Sequence, residues 1–211
     1  MMKKLAFALI AFAALAVSAG AAEISEQTKS VLAKIEKANE GITSISSPVT
    51  EVKTMPNGKE FVADGNFYYS APNLLAIRYT NPEGDYLVVN TENVAQKRKT
   101  GKSFKFSLDK NERMQLLSGT LLWCISGKLL NLAEAHNATV TSSESNGQIV
   151  LVFTANAKEA KDFKKIELTY DKATLKIKSM AMTDKSNIVT KYTIDKPQYG
   201  ASIEASIFEI K

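Results

Sequence analysis

The chain has 211 residues, of which 27 are Lys or Arg and 22 are Asp or Glu, for a formal charge of +5. So mild a basic excess excludes a purely electrostatic claim on nucleic acid. One cysteine excludes an intramolecular disulfide, and one histidine excludes a paired-imidazole metal site.

Residues 1–22 have the order of a secretory signal peptide. Lys3 and Lys4 form a positive start, Leu5 to Val17 is an uninterrupted apolar stretch, and Ser18-Ala19-Gly20-Ala21-Ala22 offers small residues for cleavage before Glu23. The apolar stretch is too short to span a bilayer comfortably, so an uncleaved anchor is the lesser reading. No cysteine stands near the cleavage point to carry a lipid. The expectation is a soluble protein exported to the periplasm, with residues 23–211 as one domain around one core.

In the mature part, residues 25–39 read as an amphipathic helix. Ser25 is placed to cap it, Thr28, Val31, Leu32 and Ile35 recur at helical spacing, and Gly41 supplies a stop. From Thr50 to Phe106 the period changes to two. Phe61, Ala63, Gly65, Phe67 and Tyr69 share one face, with Asp64, Asn66 and Ser70 on the other. Leu75, Ile77 and Tyr79 continue the pattern, with Arg78 and Thr80 opposite. Asn81-Pro82-Glu83-Gly84 is a turn by composition. Tyr86-Leu87-Val88-Val89 is the next strand, followed by Asn93–Lys99 and Ser103–Ser107. The basic cluster Lys97-Arg98-Lys99, with Lys102 and Lys105, reads as a solvated edge that discourages strand-to-strand aggregation.

Residues 109–135 return to helical spacing. Asp109 with Glu112 fits a capping box. Met114, Leu117, Leu121, Leu122, Ile125, Leu129 and Leu132 form a broad apolar face that Gly119 and Gly127 bend or divide. Cys124, within Leu121-Leu122-Trp123-Cys124-Ile125, reads as a buried, inert thiol, and His136 as a surface residue. Alternating segments at 149–153, 165–170, 175–178 and 188–195, separated by Asn, Asp and Gly, predict further antiparallel strands. The total of about eleven strands suits a strongly curved or barrel-like sheet. The fold class is therefore mainly β with helices: an incomplete antiparallel barrel covered by an N-terminal helix and a central helical segment.

The chemistry of catalysis is missing from this pattern. There is no G-x-S-x-G, no Gly-rich phosphate loop and no clustered His, Cys and carboxylate spacing. Surface pairs such as Glu60 and Asp64 are ordinary solvated carboxylates. The expectation is a protein that is no enzyme and takes no cofactor and no metal. What stands out is apolar excess on a curved sheet, and its plainer reading is a core filled by the protein's own helices.

The run Ala63 to Pro82 carries a resemblance. Gly65-Asn66-Phe67-Tyr68-Tyr69, then Pro72-Asn73-Leu74-Leu75, then Pro82, followed by Tyr86-Leu87-Val88-Val89-Asn90, resembles the LolA family of periplasmic outer-membrane lipoprotein carriers. Strands near 163–182 also fit that pattern. The resemblance implies an apolar cavity between an incomplete barrel and its covering helices, which receives the acyl chains of lipoproteins. It implies a monomer that is loaded by an inner-membrane release complex and unloaded at an outer-membrane acceptor. Leu75 and Ile77 match the interior positions of such carriers. By the same alternation Phe67, Tyr69, Tyr79 and Val88 join them, and Met114, Leu117, Leu121, Leu122 and Ile125 are the apolar face of the lid. One position departs: Ala71 stands where the carriers have an Arg before Pro-Asn, so lid control by that Arg does not carry over.

Two other readings use the same residues. A non-transporting envelope sensor or protein-binding module would have its interior plugged by Met114, Trp123 and Phe153. A small outer-membrane barrel would need an aromatic final strand, whereas this chain ends Glu209-Ile210-Lys211 and carries a helical block inside.

Overall fold

A computed structural model describes residues 24–156 and 162–210. The expected signal peptide lies outside these residues. Helix α1 (Glu26–Asn39) is followed by β1 (Ser44–Thr54), β2 (Glu60–Ser70), β3 (Leu74–Asn81), β4 (Glu83–Val89), β5 (Asn93–Lys97) and β6 (Phe104–Ser107). Helices α2 (Glu112–Ser126) and α3 (Leu129–Ala135) come next. Then follow β7 (Ala138–Ser145), β8 (Gln148–Ala155), β9 (Phe163–Asp171), β10 (Ile177–Asp184), β11 (Val189–Ile194) and the short β12 (Gln198–Tyr199).

All pairings are antiparallel, in the order β6-β5-β4-β3-β2-β1-β11-β10-β9-β8-β7, with β12 also on β1. The order ends in two different strands, so the sheet curves without closing. Its edges, β6 and β7, are joined in sequence through α2 and α3. The main core lies on the concave side: Leu32 and Ile35 of α1, Leu121 and Ile125 of α2, and Leu129 and Leu132 of α3 all pack with inward residues of the strands.

Local chemistry sets the helix ends. Ser25 Oγ accepts from the Thr28 amide at 3.2 Å, as expected of an N-cap. At the other end of α1, Lys176 Nζ donates to the Ala38 carbonyl at 2.6 Å, a cation at the negative end of the helix dipole. Helix α2 is capped by Asn111, whose Oδ1 accepts from Met114 N at 3.1 Å. Asp109, the expected cap, lies two residues too early and accepts instead from Ser107 Oγ. The helical region divides at Gly127, whose φ of 76° ends α2 in the left-handed conformation. Gly119 does not interrupt it.

Three strand readings change. β7 was hidden because Ala138-Thr139-Val140-Thr141-Ser142-Ser143-Glu144-Ser145 has few apolar side chains, and only Ala138 and Val140 are buried. β1 begins at Ser44 rather than Thr50, its first half masked by serines and Pro48. Leu175 is a turn residue with φ 56°, and β10 runs on from Ile177 through Met180 and Met182. The sheet has twelve strands rather than about eleven.

Candidate functional site

The concave side of the sheet meets α2 along an apolar seam. Phe67 on β2, Leu75 and Ile77 on β3 and Leu87 on β4 face Leu121 and Ile125 of α2, with Val49, Met180, Tyr192 and Ile194 completing the lining. Register explains the meeting. Phe67 pairs with Ile77, Tyr69 with Leu75, and Ile77 with Leu87, so the same phase of three neighbouring strands turns inward together. The hollow they leave measures about 10 Å³, room for one water at most. The helix fills the space.

The expected residues divide into groups. Phe67, Leu75, Ile77, Leu121 and Ile125 line the hollow. Tyr69, Tyr79 and Met114 are buried in the same core without lining it. Leu117 and Leu122 are half-buried at the rim of that core, with Trp123. Phe61, the first residue of the alternating set on β2, is 49% exposed.

Val88 is a correction. It pairs with Ala76 and Ala95, and all three point to the convex side, where Tyr86 and Phe208 complete a second buried cluster. Leu87 and Val89 take the inward positions. The convex side is dry over β3–β5 because the C-terminal segment crosses it there. Arg78, outward as expected, donates to the Ile207 carbonyl at 3.0 and 2.6 Å and to the Glu209 carbonyl at 2.5 Å. Asn90 adds a bond to the Phe208 carbonyl at 3.3 Å. A strand covered on both faces reads as a continuous apolar run, so Tyr86-Leu87-Val88-Val89 had no phase to read.

Sequence reasoning also missed a polar group set into the apolar interior. Glu51 of β1 takes the inward phase of Val49. It accepts from the Tyr79 hydroxyl and from Arg98 Nη2, whose distances to its two oxygens are 3.0 and 2.8 Å. The guanidinium also lies 4.2 Å from the centroid of the Tyr79 ring. Burial alone would work against the Arg98 charge, but Tyr79 and Glu51 hold its pKa above the usual value. Burial, with Glu51 nearby, pushes the hydroxyls of both Tyr79 and Tyr192 up, so they remain protonated donors at neutral pH. The signal available in the sequence was the spacing Val49-x-Glu51, a carboxylate in phase with buried residues.

His136 is the other buried polar correction. It is 7% exposed, and its Nε2 lies 2.7 Å from Thr120 Oγ1 on α2. It joins the end of α3 to the middle of α2, and no imidazole is presented to solvent. Cys124 is fully buried, and burial pushes its thiol up. No group of three or more His, Cys, Asp and Glu among the described residues could hold a metal ion, and no described helix is long and apolar enough to cross a membrane. A larger cleft of about 650 Å³ opens on the outer side over β9–β11. Lys178, Lys191, Ser179 and Thr193 line it together with Ile177, Ile194 and Tyr199, so its wall mixes charged and apolar side chains.

Solved structures of similar outline are distant in sequence. A LolA superfamily protein from Nitrosomonas europaea is 11% identical, with a TM-score of 0.42, 91% of this chain and 99% of that one being covered. An uncharacterized conserved protein from Thermus thermophilus is 13% identical with a TM-score of 0.49, over 88% of this chain and 95% of that one. The MucA/MucB complex from Pseudomonas aeruginosa matches at 14% identity and a TM-score of 0.44, over 86% of this chain and 60% of that one. No curated protein sequence matches the chain. The sequence pattern itself is more decisive: residues 51–211, from the middle of β1 to the end of the strap over the convex face, match the model of the outer membrane lipoprotein carrier protein LolA. The chain belongs to the LolA family.

Proposed function

We propose that this protein is a periplasmic carrier that shields the acyl chains of lipoproteins, or of a related lipid, between its sheet and helix α2, and that it is a stoichiometric chaperone rather than an enzyme. The observation that supports this reading is the seam itself, where Phe67, Leu75, Ile77 and Leu87 face Leu121 and Ile125 with only apolar surface between them.

A filled seam is compatible with a carrier at rest. A standing hollow of ~300 Å³, the low end for ligand pockets, would cost about 7 kcal/mol at ~24 cal/mol per Å³. That approaches the whole stability of an ordinary domain, ~5–15 kcal/mol. In the ligand-free protein α2 therefore occupies the place of the acyl chain, and loading displaces it. Covering ~10 methylene groups is worth about 8 kcal/mol, or micromolar affinity. This holds a lipid in transit yet releases it to a more apolar acceptor without an energy source. Loading by an inner-membrane release complex and delivery to an outer-membrane acceptor complete the proposal.

Mass spectrometry of organic extracts from the purified protein tests it, with acyl species at near-stoichiometric amounts expected. Ile77→Glu, which puts a carboxylate into the seam, should abolish acyl binding while leaving soluble expression measurable. Wild-type affinity in that variant would show that the chain lies elsewhere.

The closed seam also favours a second reading, a protein-binding envelope module with the same curved sheet, since Met114 and Phe153 are buried plugs. Amide exchange separates the two. A carrier gains exchange in α2 when an acyl ligand is added, and a module does not.

A further inference from the structure

We propose that the end of the sheet carrying the β1–β2 and β5–β6 turns docks on an anionic lipid bilayer, with Phe61 and Val62 entering the headgroup region and the lysines of the β5–β6 turn meeting lipid phosphates. This extends the carrier reading, but its evidence lies on other residues.

In a meander every second turn leaves at the same end, so the β1–β2, β3–β4 and β5–β6 turns point one way. The β1–β2 hairpin outruns its β3 neighbour, and the β10–β11 turn reaches the same level on its other side, Thr54 pairing with Val189. The ladder between β2 and β3 stops at Asp64 opposite Asn81, whereas β2 starts at Glu60. Residues 60–63 therefore continue past β3, roughly 13 Å at ~3.3 Å per residue.

On this projection Phe61 is 49% and Val62 55% exposed, one on each face of the strand. Lys59 Nζ lies 4.8 Å from the centroid of the Phe61 ring. Large apolar side chains left in solvent on both faces of a projecting hairpin mark a contact surface, and apolar side chains including Phe accompanied by lysines are the combination used where protein lies in the lipid headgroup region.

The β5–β6 turn supplies the charge. Lys97, Lys99, Lys102 and Lys105 are exposed, form no ion pair among the described residues, and have no Asp or Glu between Asn93 and Leu108. Phe106, 41% exposed, lies on the same hairpin. Glu60, Glu83 and Asp85 are the acids beside these turns, Asp85 accepting from the Lys99 amide at 2.7 Å, and Lys59, Lys97, Lys99, Lys102 and Lys105 outnumber them. Edge lysines alone serve to prevent aggregation. Here they accompany exposed aromatic side chains, which would promote it, so the combination fits a surface that is both anionic and apolar beneath. The two hairpins keep a fixed relation because Arg98, at the start of the β5–β6 turn, is bonded to Glu51 of β1.

Residues 23–211 hold every described helix and strand and omit the expected leader, which would bind vesicles by itself. Co-sedimentation of this form with vesicles of phosphatidylcholine, and of phosphatidylcholine with phosphatidylglycerol, tests the proposal. Binding to the anionic vesicles is expected, falling with added salt. Lys99→Glu, Lys102→Glu and Lys105→Glu together should weaken it at least about tenfold. Phe61→Ser with Val62→Ser should weaken it roughly fivefold. Lys37→Glu on the exposed side of α1 should leave it unchanged. All of these positions are exposed, and circular dichroism checks that each variant folds. Indifference of the wild type to anionic vesicles, or equal binding by the charge-reversed variant, overturns the proposal. Acyl content measured on the same preparations keeps it distinct from the carrier reading: acyl-loaded protein that ignores vesicles sinks the docking alone, and vesicle binding by protein that never takes up acyl chains sinks the carrier alone.

Discussion

Arg98 Nη2 lies 3.0 and 2.8 Å from the two carboxylate oxygens of Glu51, 47 positions away in the chain and four strands across the sheet. The side chains of Arg98 and Glu51 are only 13% and 8% exposed, so each charge depends on the other. Arg98→Met, which leaves Glu51 buried without its partner, should cost about 3–5 kcal/mol in urea unfolding. Adding Glu51→Leu to that variant should recover most of the loss, because two apolar side chains leave no orphaned charge. A double variant as unstable as the single one would mean that the pair contributes shape rather than electrostatics.

Gly65 is required where β2 meets β3. A Cβ there would lie 2.5 Å from the Arg78 carbonyl oxygen and 2.8 Å from Tyr79 Cα, both backbone atoms that have nowhere to go. Gly65→Ala should destabilise by about 2 kcal/mol or more, as overpacking does. Gly41→Ala, with nothing within 4 Å, should stay within about 0.5 kcal/mol of wild type. Thermal melts of the two variants provide the comparison.

The two faces of the sheet should separate in mutagenesis. Val88→Ala removes a fully buried side chain from the convex cluster and should cost about 1–2 kcal/mol while leaving acyl uptake intact. Leu121→Ala should cost about 2–5 kcal/mol and change acyl uptake, because it opens the seam. Loss of uptake in Val88→Ala alone would place the acyl chain on the wrong side of this description.

Arg78→Met removes three bonds to the C-terminal carbonyls. Charge-assisted bonds are worth about 1.5–3 kcal/mol, so amides near 203–210 should lose most of their exchange protection while β9 and β10 keep theirs. Uniform loss across the sheet would instead make the strap part of the global fold.

Alkaline pH gives a signed prediction. Burial raises the Cys124 thiol above its usual 9.0 and the Tyr79, Tyr170 and Tyr192 hydroxyls above their usual 10.0. Each group ionises first in the unfolded chain, so its contribution is full below the unfolded pKa and is lost as pH rises past it. Stability should hold to about pH 9 and decline above it. A thiol reagent should label Cys124 only on unfolding, and prompt labelling of the native protein would contradict its burial.

Periodicity sufficed where burial is one-sided. Asn66 precedes Phe67, Arg78 follows Ile77, and Arg78 and Thr80 flank Tyr79, so a period of two leaves only one face for Phe67, Ile77 and Tyr79 to share. The apolar spacing of Leu121 and Ile125 likewise placed them on the covering helix, and the run from Gly65 to Pro82 was specific enough to suggest the family. Local order carries that much because a strand or helix exposes its own period. The direction of Val88, the burial of His136 and the pairing of Glu51 with Arg98 depended on segments far away in sequence. Each needs a second surface, the strap, α2 or the β5–β6 turn, to exclude water from a residue whose neighbours in the chain are silent about it. The size of the hollow was decided in the same way, by how closely α2 settles onto the sheet.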